Sequence, residues 1–146
     1  MRINPLETAP PRAARAPGEV RGIGAEAFMQ EVQQAQRAKF DQSVEQLIRN
    51  IEVAGERLAA TMSLDDLVNY KLLIGDFIRT INQHCTQVST SLSWGYMGQQ
   101  RHFTIVREID QQLAELRDLL LAEEKDHLAI VATVDNIRGL VLDLRV

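Results

Sequence analysis

All four prolines of this chain, Pro5, Pro10, Pro11 and Pro17, fall within its first 17 residues. Proline inside a helix removes a backbone donor and clashes with the preceding turn, so the long proline-free remainder can be helical throughout. The proline-bearing segment also holds Gly18, Gly22 and Gly24. It has too little apolar side chain to offset the entropy of ordering it. This predicts a flexible arm over residues 1–25 and a folded domain over 26–146. Charge divides in the same way. Arg2, Arg12, Arg15 and Arg21 against Glu7 and Glu19 give the arm +2, so within a total of −4 the domain carries −6.

Aliphatic residues in the domain repeat at alternating steps of three and four, the period of a helix that buries one face. Phe40, Val44, Leu47, Ile51, Ala54 and Leu58 predict a first helix over about Glu26–Ala60, with a polar opening at Gln30, Gln33, Gln34 and Gln36. Ser63 followed by Asp66 has the form of a capped helix start, and Asp65 and Asp66 suit the positive end of a helix dipole. A second helix to about Leu92 carries Leu67, Ile74, Ile78, Ile81, Cys85, Val88 and Leu92, flanked by Leu73 and Phe77. The glycine-interrupted Ser93–Gln100 stretch reads as a turn or short hairpin.

A last helical region begins near Thr104. Ile109, Leu113, Leu116, Leu120, Ile130, Val134, Ile137, Val141 and Leu144 share one heptad phase, in which Glu123 and His127 are the polar positions. Phase and the helix formers Ala122, Glu123, Glu124 and Lys125 favour one helix of roughly 60 Å. Burial favours a break. The second helix spans only about 42 Å, and a straight third helix would leave Ile137, Leu140, Val141, Leu142 and Leu144 uncovered. That stripe needs a fold-back or a second chain. The expected fold is an all-α antiparallel bundle of three long helices, or four with a break near Glu123–His127.

Composition excludes several functions. The acidic body lacks the clustered Lys and Arg that a nucleic-acid backbone requires. Cys85, the lone cysteine, rules out an internal disulfide. No stretch approaches the roughly 20 apolar residues of a membrane span, and the N-terminal segment has prolines where a signal peptide would have an apolar run. A cytoplasmic location follows as an expectation.

Residues capable of chemistry are few. Glu124 and His127 have the Glu-x-x-His spacing of di-iron bundles, but that chemistry needs two such pairs and two further glutamates. Placing the helices antiparallel about Gly98 instead brings Lys71 level with Glu123 and His127, predicting a structural polar layer in which Lys71 pairs Glu123 or Glu124. His84 and Cys85 are adjacent on a helix and therefore point about 100° apart, unlike a nucleophile and its base. Glu108, Asp110, Glu115 and Asp118 read as a solvated face. No catalytic residue, metal ligand or cofactor is expected.

Trp94, Tyr96, Met97, Arg101, His102 and Phe103 gather at one connection. Trp, Tyr and Arg are enriched in interface hot spots. The simpler reading is that Trp94 and Phe103 plug the bundle end. The sharper one makes Trp94, Tyr96, Arg101 and His102 contacts for a protein partner.

Leu67-Val68-Asn69-Tyr70-Lys71, Ile105-Val106-Arg107-Glu108-Ile109-Asp110 with Leu113 and Leu116, and Ile137-Arg138-Gly139-Leu140-Val141-Leu142-Asp143-Leu144 resemble stretches of the YaaR family of small bacterial proteins. The resemblance covers about residues 28–146. It implies a cytoplasmic helical bundle and supplies no activity or catalytic residues. The leading functional expectation is a non-enzymatic interaction or regulatory protein that self-associates through the C-terminal apolar stripe. The alternative is a small-ligand or metal-binding bundle using the polar residues around Lys71, Glu123 and His127.

Overall fold

In a computed structural model the backbone is described for residues 17–88 and 96–145, and the side chains for residues 24–85 and 97–145. Among the described residues four helices follow one another: α1 (Pro17–Thr61), α2 (Leu64–Val88), α3 (Tyr96–Leu121) and α4 (His127–Arg145). Among the described residues there is no strand. The chain divides into two compact units, one ending at Asp41 and the other starting at Gln42.

α1 begins nine residues ahead of the predicted Glu26. Pro17 occupies its first position, where a missing N–H costs nothing and the fixed φ suits a helix. Residues 17–25, expected to belong to the arm, therefore have helical backbone, and residues 1–16 lie outside the described set. In the first unit Phe28 and Met29 are exposed, and among the residues whose side chains are described none before Val44 is buried. The glutamine-rich stretch explains this, because it offers no apolar stripe.

From Gln42 onward α1 buries Val44, Ile48, Ile51, Ala54 and Leu58. Ile48 takes the inward place expected for Leu47, which is half-buried. Polar contacts fix its neighbours. Glu45 Oε2 accepts from Arg145 Nη1 at 3.1 Å, Glu52 Oε2 from Arg138 Nε at 2.6 Å, and the Met62 carbonyl from Lys125 Nζ at 3.1 Å. The α4-side partner number falls as the α1-side number rises, so α1 and α4 run antiparallel.

The α1–α2 turn contains neither glycine nor proline. Met62 adopts a left-handed φ of 53°, and its N–H donates to the Leu58 carbonyl at 2.7 Å, closing the helix as glycine commonly does. Ser63 then caps α2, its Oγ accepting from the Asp66 N–H at 3.3 Å. The Asp66 carboxylate reaches back to α1, accepting from Arg57 Nε at 3.1 Å and from the Thr61 hydroxyl. On α2 the buried residues are Leu67, Tyr70, Ile74, Phe77 and Ile81.

The last helical region breaks. α3 ends at Leu121 and α4 starts at His127, so the bundle has four helices. Asp126 caps α4: its Oδ1 accepts from the Ala129 N–H at 3.1 Å and its carbonyl from the Ile130 N–H at 3.0 Å. The fold-back buries Ile130, Ile137, Val141 and Leu144. Each such side chain stabilises by roughly 1.5–3 kcal/mol, which outweighs the few helical hydrogen bonds lost at the break. The C-terminal apolar stripe is thus covered within the chain, removing the reason to expect self-association through it. With α1–α2, α1–α4 and α3–α4 each antiparallel, the four helices form an up-down-up-down bundle.

Candidate functional site

The residues singled out from sequence are not gathered by the fold. Lys71, Glu123, Glu124 and His127 are all exposed, and no ion pair joins Lys71 to either glutamate among the described residues. The break explains this, because Glu123 and Glu124 lie in the 122–126 connection outside any helix. Lys125 is the residue there that reaches across the fold. Among the described residues no group of three or more His, Cys, Asp and Glu side chains is placed to hold a metal.

The aromatic cluster is split as well. Trp94 lies outside the described residues, and Tyr96 opens α3 with its side chain outside them. Arg101 and Met97 are exposed. His102 is 8% exposed and turns inward to hydrogen-bond Asn82 of α2, so it is a core residue rather than an outward contact. Burial pushes its pKa below the usual 6.5. Phe103, expected as a plug, is 63% exposed, with its ring edge-on to His102 at 6.3 Å. Gly98 lies inside α3 rather than in a turn. Cys85 is half-buried, and burial pushes its thiol pKa up, away from a reactive thiolate. Glu108, Asp110, Glu115 and Asp118 are exposed, as expected of a solvated face.

Two other features emerge. The first is an apolar face along the α2–α3 seam. Leu64, Val68 and Leu72 are spaced four apart and are 46%, 57% and 63% exposed, forming a ridge on one side of α2. Asn82 lies about five full turns after Leu64 and so shares its direction, and Asn82 meets His102 of α3. The Leu64 end of the ridge therefore flanks α3, and the ridge turns by about 80° towards solvent by Leu72. On α3 itself Phe103 and Leu121 are also five turns apart, and both are exposed. Gln112, midway between them on the opposite flank, accepts from Asn136 Nδ2 of α4 at 3.5 Å. Phe103 and Leu121 consequently lie on the side facing away from α4, towards α2. α3 packs chiefly on α4 and more lightly on α2, which leaves this seam the more open one.

The second feature is a cleft of about 420 Å³ between α1 and α4, with Tyr70 of α2 in its wall. Its polar lining is Glu52 and Glu56 from α1, Asp135 and Arg138 from α4, and Tyr70. Gly55 permits the close approach: a Cβ there would stand 3.0 Å from Val134 Cγ1 and 3.2 Å from Tyr70 Cε1. Tyr70 is 1% exposed, yet its hydroxyl makes no hydrogen bond among the described residues. Burial, and secondarily the Asp135 carboxylate, push its pKa well above the ordinary tyrosine value. Sequence reading missed this site although part of its signal was present. Tyr70 sits three residues after Leu67 and four before Ile74, on the buried stripe.

Comparison with known proteins shows that the family and the fold are shared with other chains. The family described as "Protein of unknown function (DUF327)" matches residues 12–145. The uncharacterized protein YaaR of Bacillus subtilis (strain 168) is 29% identical over 111 residues, covering 76% of this chain and 75% of that protein. The crystal structure of an uncharacterized protein from Bacillus halodurans is similar with a TM-score of 0.69 at 28% identity, covering 80% of this chain and 97% of the other. A designed granulopoietic protein made by topological rescaffolding is similar with a TM-score of 0.66 at 25% identity, over 73% of this chain and 91% of its own.

Proposed function

The chain belongs to the family of unknown function DUF327, and from that premise we propose that it is a non-enzymatic interaction module whose α2–α3 face receives an amphipathic helix of a partner protein. The observation that carries this reading is the ridge of Leu64, Val68 and Leu72 along α2, with Leu121 and Phe103 on the α2-facing flank of α3, all exposed. Anchors repeating once per turn along a helix suit recognition of another helix laid alongside them. Isolated exposed aliphatic residues are ordinary, whereas three at successive turns of one helix make an apolar ridge.

The charge of the bundle favours a basic helix over a second copy of this chain. Residues 26–146 carry −6 as a whole, so two copies of this chain repel one another at long range. A partner helix with lysines or arginines beside its apolar stripe would be attracted instead. The C-terminal stripe offers no competing surface, since Ile137, Val141 and Leu144 are already buried.

A photo-crosslinking amino acid placed at Val68, Leu72 or Phe103 of the full chain tests this in the native cell. The expected result is one adduct, mapped by mass spectrometry to an amphipathic, basic-flanked helix and lost on Leu64→Asp. Val53, exposed on α1, is the control position and should give none. Adducts only to another copy of this chain, or equal yields from Val53, would overturn the reading.

A further inference from the structure

We propose that the α1–α4 cleft is a binding site for a small organic amine, whose ammonium group is held by Asp135, Glu56 and the Tyr70 hydroxyl while its hydrocarbon lies against Ala59 and Val131. This goes beyond the partner-helix reading and rests on a separate part of the bundle.

The charge balance points to a cation. Three carboxylates line the cleft against one guanidinium: Arg138 bonds Glu52 at 2.6 Å and its charge also acts on Asp135 and Glu56, which leaves the lining negative in balance. Glu56 and Asp135 make no hydrogen bond or ion pair among the described residues. A cluster of acids alone would be an ordinary solvated surface. The independent observation is Tyr70, whose phenol is buried yet has no hydrogen-bond partner among the described residues. Buried hydroxyls nearly always find a partner, and one left over beside a cavity marks a place for a group that is not part of the chain. The edge of its ring and its oxygen both face Gly55, and Gly55 also lines the cleft.

Size and lining decide which cation fits. A volume of about 420 Å³ lies in the range of small-molecule sites. A bare metal ion needs more carboxylate or imidazole ligands than are brought together here, since among the described residues no three His, Cys, Asp or Glu side chains form such a group. The walls are part hydrocarbon, from Ala59, Val131 and Val134. A ligand with an ammonium head and an aliphatic body meets both requirements, and an anion meets neither.

Isothermal titration of the full chain at low salt provides the test, with diaminopentane and spermidine as probes and pentanediol as the uncharged counterpart. The expected result is saturable binding of an amine with Kd below about 1 mM, and none of pentanediol. Asp135→Asn and Tyr70→Phe should each weaken binding about tenfold. Glu115→Gln removes the same charge from the exposed face of α3 and should leave affinity unchanged. Circular dichroism of each variant verifies folding, and Tyr70→Phe, which deletes a single oxygen, keeps the test available if another variant unfolds. Absence of saturable amine binding overturns the proposal. So does equal weakening by Glu115→Gln, which would mean diffuse charge screening, or binding indifferent to Asp135→Asn or Tyr70→Phe. Displacement of the amine by magnesium chloride at the same concentration would also overturn it.

Discussion

Gly55 of α1 lies against the ring of Tyr70 of α2 so closely that a Cβ on the glycine would stand 3.2 Å from Cε1, and 3.0 Å from Val134 Cγ1 on α4. Three helices meet at this point, and its tightness sets the sign of the simplest substitution. In a helix, alanine in place of glycine gains up to about 1 kcal/mol. At Gly55 overpacking costs about 1–3 kcal/mol and offsets that gain. Gly139 of α4 has nothing within 4 Å of its Cβ position. Urea denaturation should therefore show Gly139→Ala stabilised by about 0.5–1 kcal/mol and Gly55→Ala neutral or destabilised by about 1 kcal/mol.

The Tyr70 hydroxyl gives the opposite of the usual core result. Removing a buried polar atom that has no partner relieves a desolvation cost, so Tyr70→Phe should raise stability by up to about 1 kcal/mol. A loss of comparable size would show that the oxygen is bonded in the folded state.

Asp126 supplies the start of α4. Replacing it with alanine leaves the Ala129 N–H without its acceptor and should cost about 1 kcal/mol. Because α4 covers both α1 and α3, the loss should appear in one cooperative transition rather than as local fraying. Coincident far-ultraviolet and tryptophan-fluorescence melts would show this.

Acid should weaken the bundle through His102. Its pKa is lowered by burial, so between that lowered value and 6.5 the unfolded chain binds more protons than the folded one. The contribution of the neutral imidazole is fully present above 6.5 and is lost as pH falls through this window. His102→Gln, which keeps a polar group opposite Asn82, should flatten the pH dependence of the melting temperature there. An unchanged profile would assign the dependence to other groups.

Leu116 and Leu72 separate packing from display. Leu116 is fully buried, and Leu116→Ala should cost about 2–5 kcal/mol. Leu72 stands on the exposed ridge, and Leu72→Ala should stay within about 0.5 kcal/mol of the parent while weakening partner crosslinking. Chemical denaturation of the two variants checks this directly.

Helix positions were legible because the aliphatic period records which faces must be buried, and the Ser63–Asp66 cap was visible as a local pattern. The break after Leu121 was only half legible. Its helix formers and unbroken phase argue locally for continuity, whereas the need to cover Ile137, Val141 and Leu144 is a property of the whole chain. Asp126 signalled the new start, but an aspartate has many roles and its capping geometry depends on the turn before it. Register defeated the polar layer. Counting outward from Gly98 assumes a turn there, and α3 passes straight through that glycine. The Tyr70 cleft was illegible for a related reason. Its residues come from helices far apart in sequence, and Glu52 and Arg138 are brought together by the α1–α4 pairing alone.

The ion pair between Glu45 and Arg145 joins positions a hundred residues apart in sequence. Each helix of the closed bundle lies antiparallel to both neighbours, so packing alone does not dictate which comes first. A rewired chain that joins the end of α4 to the Gln42 region by a short linker, and opens between Ala122 and Asp126, would retain every interhelical contact. The order of helices along this polypeptide is therefore not dictated by the contacts between them.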